Sequence, residues 1–283
     1  MSDPVRLGGA DEEVLRLEGV SLWLSGREIL HEVDFSLHAG ELTGLIGSNG
    51  AGKTTIFRVI LGLETPSTGK VLLFGRPRPR RNRLIGYVPQ HIDLDPDVPL
   101  RPRDLVAFGL DGGRLGIPLP SRHRHQLVDD MLEAVDATAF ADARIGTVSG
   151  GELQRTLIAH ALISKPKLLL LDEPLANLDI RSEQEVVTLL SKIAKEQQIA
   201  VLISAHEMNP LLPVMDRVVY VASGRAASGT TDEVVREDVL SKLYGHHVDV
   251  LHLDGRILVV AGKDEGHHAE LEKAPKVPPR GVA

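Results

Sequence analysis

One short stretch of the sequence combines glycines, a lysine and a hydroxyl at a spacing that can hold phosphate groups. It fits the pattern G-x-x-x-x-G-K-[ST] in full and reads Gly47, Ser48, Asn49, Gly50, Ala51, Gly52, Lys53, Thr54. Glycines let backbone N–H groups approach phosphate oxygens, and a helix that starts there adds a favourable dipole. In such a loop Lys53 reaches the β- and γ-phosphates and the hydroxyl of Thr54 binds Mg²⁺. The stretch therefore predicts a nucleotide site.

A second stretch places two carboxylates directly after an apolar run. Residues 168–171 are all leucine, and Asp172 and Glu173 follow them. A buried strand that ends in a carboxylate is where a P-loop protein holds Mg²⁺, usually through water. Glu173 can accept a proton from an attacking water. Alone, this pattern is also typical of a turn at a strand end, but together with the lysine loop it favours nucleotide hydrolysis.

Between these two stretches, a serine and two glycines open a predicted helix. Ser149, Gly150, Gly151 and Glu152 can form a second helix start that receives an anion. The same residues also fit a capping box, in which Ser149 and Glu152 bond to each other's backbone N–H. The two interpretations are compatible.

Periodicity along the chain predicts short strands that alternate with helices, and hence a mainly parallel sheet with helices on both faces. The predicted strands are 14–17, 20–24, 33–37, 41–46, 70–74, 85–88, 167–171, 200–204, 218–222 and 257–260. The predicted helices are 54–62, 105–108, 123–135, 152–164, 182–197 and 232–244. Residues from about 91 to 164 look like a mostly helical insertion, and the tail beyond Gly262 is expected to be disordered.

Composition narrows the classes of function. The chain has 283 residues, 42% hydrophobic and 25% charged, with a net charge of −7 and no cysteine. The acidic balance disfavours nucleic-acid binding, and the lack of cysteine excludes disulfides and thiolate chemistry. The polar start of the chain does not resemble a signal peptide, and no apolar run approaches the length of a membrane span. These features predict a cytoplasmic chain.

In their order, these motifs resemble those of the ATP-binding subunits of ABC transporters, over about residues 14–245. The Walker A motif matches 47–55 and so includes Thr55, and the Walker B motif matches 168–173. Gln90 matches the Q-loop, Asp179 the D-loop and His206 the switch histidine, while 149–152 resemble the family signature. The resemblance implies an α/β fold: a P-loop NTPase core with a mainly parallel sheet, an N-terminal antiparallel β-subdomain and an inserted α-helical subdomain. It divides the chain into a polar segment (1–13), the ATPase domain (14–245, with the insertion at about 91–164) and a histidine-rich C-terminal extension (246–283).

The resemblance also implies roles for these residues in ATP hydrolysis. Glu173 is the expected general base, His206 the γ-phosphate contact, and Thr54, Asp172 and Gln90 the residues that serve Mg²⁺. Two copies of the chain are expected to form a head-to-tail dimer with two ATP molecules between them. Each nucleotide then also contacts the signature of the other copy, and Asp179 helps to couple the two sites.

Two positions depart from the family pattern. The signature usually has glutamine where this chain has Glu152. The aromatic residue that stacks on adenine falls at Leu24, with Trp23 one position away. Neighbouring residues of a strand point to opposite faces, so only one of these two side chains can serve.

The resemblance also implies partners: a polytopic membrane permease, which docks near 91–110, and indirectly an extracytoplasmic solute-binding protein. It places the chain on the inner face of the cell membrane. Motifs at 83–90, 176–180, 209–212 and 240–246 are similar to importers of zinc, manganese or iron. An importer of another small solute and a non-transport assembly module remain alternatives, and no nucleic-acid partner is expected.

Two polar clusters have more than one interpretation. Carboxylates surround five histidines near the C-terminus: His246, His247, His252, His267 and His268. Imidazole and carboxylate groups suit metals such as zinc, so these residues could form a regulatory metal site. A solvated polar tail explains the same residues as well. The arginines within 76–83 are interpreted as a solvated loop, because no aromatic residue lies among them.

Overall fold

A computed structural model describes residues 12–78, 84–92, 95, 97–110 and 121–261. The strands are β1 Glu13–Leu24, β2 Arg27–His38, β3 Leu42–Ile46, β4 Thr68–Leu73, β5 Arg76–Pro77, β6 Ile85–Val88, β7 Leu168–Leu171, β8 Ala200–Ala205, β9 Arg217–Ala222, β10 Arg225–Gly229, β11 Val248–Leu253 and β12 Arg256–Ala261. The helices are α1 Lys53–Leu61, α2 Pro102–Phe108, α3 Arg122–Ala134, α4 Gly150–Leu162, α5 Ile180–Gln197, α6 Thr231–Val234 and α7 Glu237–Tyr244, with 3₁₀ turns at Thr138–Phe140 and Ile145–Thr147.

The central sheet has the order β10-β9-β3-β8-β7-β6, and every neighbouring pair except β9–β10 is parallel. This confirms the predicted α/β fold with a mainly parallel sheet. Parallel strands end at the same edge of a sheet, so the segments that follow β3, β6, β7 and β8 lie side by side. These segments carry the lysine loop, Gln90, Asp172 with Glu173, and His206.

An antiparallel sheet of order β2-β1-β4-β5 flanks the central sheet, and its strands lie before and after β3 in the sequence. The two strands predicted at 14–17 and 20–24 are one continuous strand, β1. The apolar–polar alternation breaks at Gly19, which has φ +54° and lies at a register shift against β2. The N–H of Gly19 donates to the Asp34 carboxylate at 2.7 Å, so the bulge is stabilised by a side chain that periodicity does not reveal.

Two hydrophobic cores cover opposite faces of the central sheet. One core contains α1 and the antiparallel sheet, and the other contains α4, α5 and most of the helical insertion. Along β7 the leucines alternate between them: Leu168 and Leu170 face the first core, and Leu169 and Leu171 face the second. All four are fully buried, as expected for a strand covered on both faces.

The helices α2, α3 and α4 lie in the sequence between β6 and β7, which are neighbours in the sheet. The guanidinium of Arg103 on α2 bonds to Asp129 of α3 at 3.0 Å and to Asp142 at 2.5 Å. These bonds raise the pKa of Arg103, chiefly through the hydrogen bond to Asp142. The network joins α2 to α3 and to the segment between the two 3₁₀ turns.

The C-terminal part differs from the sequence prediction. The helix predicted at 232–244 is broken at Arg236, which is extended at φ −129°, and so forms α6 and α7. Edge strands β10 and β11 were not predicted, because their residues alternate poorly and are partly exposed. The expected tail disorder concerns residues beyond 261, which lie outside the described residues.

Across the described ranges, no helix is long and apolar enough to cross a membrane.

Candidate nucleotide site

The loop between β3 and α1 follows a path that requires glycine. A Cβ added at Gly47 would lie 2.3 Å from the carbonyl oxygen of Val221, and Gly50 and Gly52 have φ values of +76° and +117°. The loop brings the N-terminus of α1, where the first N–H groups of a helix have no partner within the helix, to the edge of a cavity of about 130 Å³. The cavity is lined by Ile29, Ser48, Asn49, Gly50, Gly52, Lys53, Thr54, Thr55 and Glu173.

Lys53 is the first residue of α1, and its side chain is only 5% exposed. The ammonium folds back over the loop and donates to the carbonyl oxygens of Gly47 at 2.6 Å and Ser48 at 3.3 Å. Burial lowers the pKa of Lys53, while the carboxylates of Glu173 and Asp172 act against that shift. The loop therefore holds a cation at the place where the sequence pattern predicts phosphate.

Glu173 is the centre of the cluster. Its carboxylate accepts a hydrogen bond from the Gln90 amide at 2.6 Å and contacts Nε2 of His206 at 2.8 Å, with the Lys53 ammonium 3.8 Å away. Nδ1 of His206 lies 3.4 Å from the Lys53 ammonium, which can only donate. His206 therefore fits the tautomer that accepts at Nδ1 and donates from Nε2 to Glu173.

Asp172 is 3% exposed and faces Thr54 and Ser204. Burial raises its pKa, and hydrogen bonds from the hydroxyls of Ser204 and Thr54 act in the opposite direction. The buried Asp172 carboxylate and the Thr54 hydroxyl supply hard oxygen atoms, which are the ligands that Mg²⁺ prefers. The Gln90 amide, which donates to Glu173, lies nearby and carries a further oxygen. The residues present therefore fit a Mg²⁺ site.

The signature residues and the D-loop residue form a second cluster, at the starts of α4 and α5. Ser149 and Glu152 make the predicted capping box: the Ser149 N–H donates to Glu152 at 2.7 Å and the Glu152 N–H to Ser149 Oγ at 3.3 Å. The bond from the Ser149 N–H lowers the pKa of Glu152. Asp179 caps α5 by accepting from the N–H and the hydroxyl of Ser182, both at 2.9 Å.

The two helix starts are in contact. A Cβ added at Gly151 would lie 2.9 Å from Oγ of Ser182, and one at Gly150 would lie 3.4 Å from Leu178. Small residues in the signature thus let the D-loop segment pack directly against it.

Trp23 and Leu24 lie at the end of β1 and differ in exposure, as strand alternation predicts. Trp23 is 54% exposed, and Leu24 is partly buried against the core of the antiparallel sheet. Trp23 therefore has the larger free surface for an adenine ring.

In the described part of the chain, the histidines near the C-terminus do not form a cluster. His246 packs edge-on against Tyr244 at 5.6 Å, and His247 bonds to Asp249 at 3.1 Å. Within the described ranges, no group of three or more His, Asp or Glu side chains could hold a metal ion. His267 and His268, and the arginines at 80, 81 and 83, lie outside those ranges.

Ser204 belongs to the site and was missed by the sequence analysis. Its hydroxyl donates to Asp172 at 2.8 Å and accepts from the Glu173 N–H at 2.9 Å. The available signal was a polar residue near the end of an otherwise apolar buried strand, which usually indicates a hydrogen-bond partner in the interior.

The glycine loop between β3 and α1, its buried lysine and the carboxylates at the end of β7 together define a P-loop ATPase.

Comparison with known proteins identifies the family. The profile of the ABC transporter family matches residues 30–176, and the chain belongs to this family. It is 32% identical to the zinc import ATP-binding protein ZnuC of Pseudomonas savastanoi pv. phaseolicola, over 90% of this chain and 94% of that protein. It is also 32% identical to the chelated iron transport system membrane protein YfeB of Yersinia pestis, over 83% of this chain and 79% of that one.

Solved structures agree on the fold. An inward-facing metal-chelate type ABC transporter has a chain with TM-score 0.74 and 24% identity, and the match covers 89% of this chain and 98% of that one. CbiO1 of Clostridium perfringens, part of the ABC transporter complex CbiONQ, has TM-score 0.71 and 28% identity, over 82% and 94% of the two chains.

Proposed function

We propose that this chain binds and hydrolyses ATP to power a membrane ABC importer for a divalent metal ion: zinc, manganese or iron. The observation that carries the ATPase part is the position of Glu173, which Gln90, His206 and Lys53 surround at the mouth of the phosphate loop. The metal part is supported by relatives named for zinc import and chelated iron transport, which match most of this chain.

In this proposal, backbone N–H groups at the start of α1 and the Lys53 ammonium neutralise the phosphate charge. Glu173 accepts a proton from the attacking water, Gln90 helps to orient that water, and His206 contacts the γ-phosphate. Thr54, Asp172 and Gln90 would hold Mg²⁺, which supplies further positive charge to the phosphates.

We further propose that two copies pair head to tail. The helix start formed by Ser149, Gly150 and Gly151 would then face the nucleotide held by the other copy. Its capping box leaves part of the N-terminus of α4 available for an anion. The contact between Gly151 and Ser182 supports a route by which Asp179 couples the two sites.

A groove of about 480 Å³ beside α2 and α3 is the proposed docking surface for a membrane permease. It lies within and next to the expected region 91–110, and Phe108 on its wall is 54% exposed. A large exposed aromatic side chain beside a groove is typical of a protein contact. Docking there would hold the chain at the inner face of the membrane, with a solute-binding protein as an indirect partner.

The test is the whole-cell elemental content of the native host under metal limitation, with either the native chain or Glu173→Gln. We expect a selective fall in zinc, manganese or iron in the variant, because import stops when ATP is not hydrolysed. The native chain should also sediment with the membrane fraction. Unchanged content of all metals would contradict metal import. A higher content of one metal in the variant would indicate export instead of import. Unchanged content without sedimentation would favour an assembly role.

The adenine contact can be tested separately. We expect Trp23→Ala to weaken ATP binding about 5- to 150-fold, because stacking of a base on an aromatic ring contributes about 1–3 kcal/mol. Leu24→Ala, the matched control one residue away, should leave affinity near that of the native chain. Titration with a fluorescent ATP analogue measures both. A larger loss for Leu24→Ala than for Trp23→Ala would show that adenine rests on the aliphatic side chain.

A further inference from the structure

A single buried hydroxyl connects the two acidic residues at the end of β7. Ser204 is 0% exposed, and the other residues of β8 are all apolar. Burying a hydroxyl without a partner costs about 1–3 kcal/mol by mutational data. Here both of its roles are used, since Oγ donates to Asp172 Oδ1 at 2.8 Å and accepts from the Glu173 N–H at 2.9 Å.

The backbone conformation of Glu173 gives its bond to Ser204 a role beyond that of satisfying a buried N–H. Glu173 has φ +49°, a left-handed conformation that costs a non-glycine residue about 1–3 kcal/mol. The turn directs its side chain back to Gln90 and His206. The bond from the Glu173 N–H to Ser204 holds the peptide plane between Asp172 and Glu173 against β8, and so fixes the base from which the left-handed turn starts.

The same hydroxyl sets the direction of Asp172. One carboxylate oxygen of Asp172 is held by Ser204 on β8, and the hydroxyl of Thr54 on α1 lies near enough to act on the pKa of the same carboxylate. The adjacent strand therefore fixes the angle at which Asp172 meets the threonine of the phosphate loop. A fully buried serine thus contacts both acidic residues at the end of β7.

We propose that Ser204 is a positioning residue for ATP hydrolysis, which aligns the Asp172 carboxylate for Mg²⁺ and the Glu173 carboxylate for water. The inference rests on the proposed use of this site for Mg²⁺ and ATP. A serine that only satisfied buried polar groups would affect stability and nothing else. Positioning instead changes how the site uses Mg²⁺, and this difference is measurable.

Ser204→Ala removes the hydroxyl, and Ser204→Thr keeps it. The matched control is Thr43→Val on β3 in the same sheet. Thr43 is 1% exposed, and among the described residues its hydroxyl has no hydrogen-bond partner, so the control removes a buried hydroxyl that bonds to neither carboxylate. Melting temperature, binding of a fluorescent ATP analogue with and without Mg²⁺, and phosphate release are measured on the full chain.

For Ser204→Ala we expect the Mg²⁺ concentration at half-maximal hydrolysis to rise, and the maximal rate to fall, each by about 10- to 100-fold, as when a group that orients a metal ligand is lost. Nucleotide binding without Mg²⁺ should remain unchanged. Ser204→Thr should recover most of both losses, and Thr43→Val should keep the native Mg²⁺ requirement and maximal rate. If Ser204→Ala does not fold, Ser204→Cys keeps the volume with a weak hydrogen-bonding group, and the same losses are expected.

The inference is overturned if Ser204→Ala, or Ser204→Cys in its place, lowers only the melting temperature and keeps the native Mg²⁺ requirement and rate. It is also overturned if Ser204→Thr shows the same Mg²⁺ defect as Ser204→Ala. Failure of the proposed function looks different, because the native chain itself would then show no Mg²⁺-dependent binding of the ATP analogue.

Discussion

Glu173→Gln is expected to lower the rate of ATP hydrolysis by about 10²- to 10⁴-fold, the usual contribution of a general base, while ATP still binds. The amide keeps the shape of the side chain and can still contact Gln90 and His206, but it cannot take a proton from water. ATP should therefore persist in the site and hold two copies of the chain together. Phosphate release and the molecular mass in solution with ATP measure the two effects.

Glu207→Gln is the matched control for this variant. Glu207 is exposed and lies next to His206 in the sequence, so the same change of charge is made close to the site but outside the cluster. We expect native hydrolysis and a native response of the molecular mass to ATP. Equal losses in both variants would show that overall charge, rather than the position of Glu173, controls the rate.

Lys53→Met is expected to weaken ATP binding by about 10- to 150-fold, since a hydrogen bond to a charged group contributes about 1.5–3 kcal/mol. Methionine preserves most of the buried length of the side chain but supplies neither charge nor donor. It also leaves the carboxylates of Asp172 and Glu173 beside the loop without their nearest cation, so repulsion of the triphosphate should increase. Calorimetric titration with ATP measures the affinity, and circular dichroism verifies the fold.

Lys192→Met provides the comparison, because Lys192 is an exposed residue of α5. We expect its affinity for ATP to equal that of the native chain. If Lys53→Met also bound ATP with native affinity, the loop at 47–54 would not be the phosphate site.

The resemblance of the ordered motifs to those of ABC ATPases was sufficient to predict that Gln90, Asp172 and His206 belong to one site. In the fold each of them follows a strand of the parallel sheet, and parallel strands end at one edge. The same reasoning could not supply Ser204, because its role depends on which strand lies beside β7. That pairing of β7 with β8 is set by packing across both faces of the sheet.

Local pattern also failed where tertiary contacts override it. Periodicity predicted one helix at 232–244, but the chain turns at Arg236 and starts α7 there. Similarly, Gly19 interrupts the alternation of β1, and the pattern divides one strand into two. Trp23 and Leu24 are equivalent in the sequence as candidates for adenine, and only their exposure in the folded chain separates them.

The four leucines of β7 restrict how this sequence can change over time. A smaller residue at Leu168 or Leu170 would loosen one core, and one at Leu169 or Leu171 would loosen the other. Either change would act on the same short strand, which leads directly into Asp172 and Glu173. Substitutions in either core therefore act on the strand that positions the two acidic residues. Neither core can be repacked without an effect on the ATPase site.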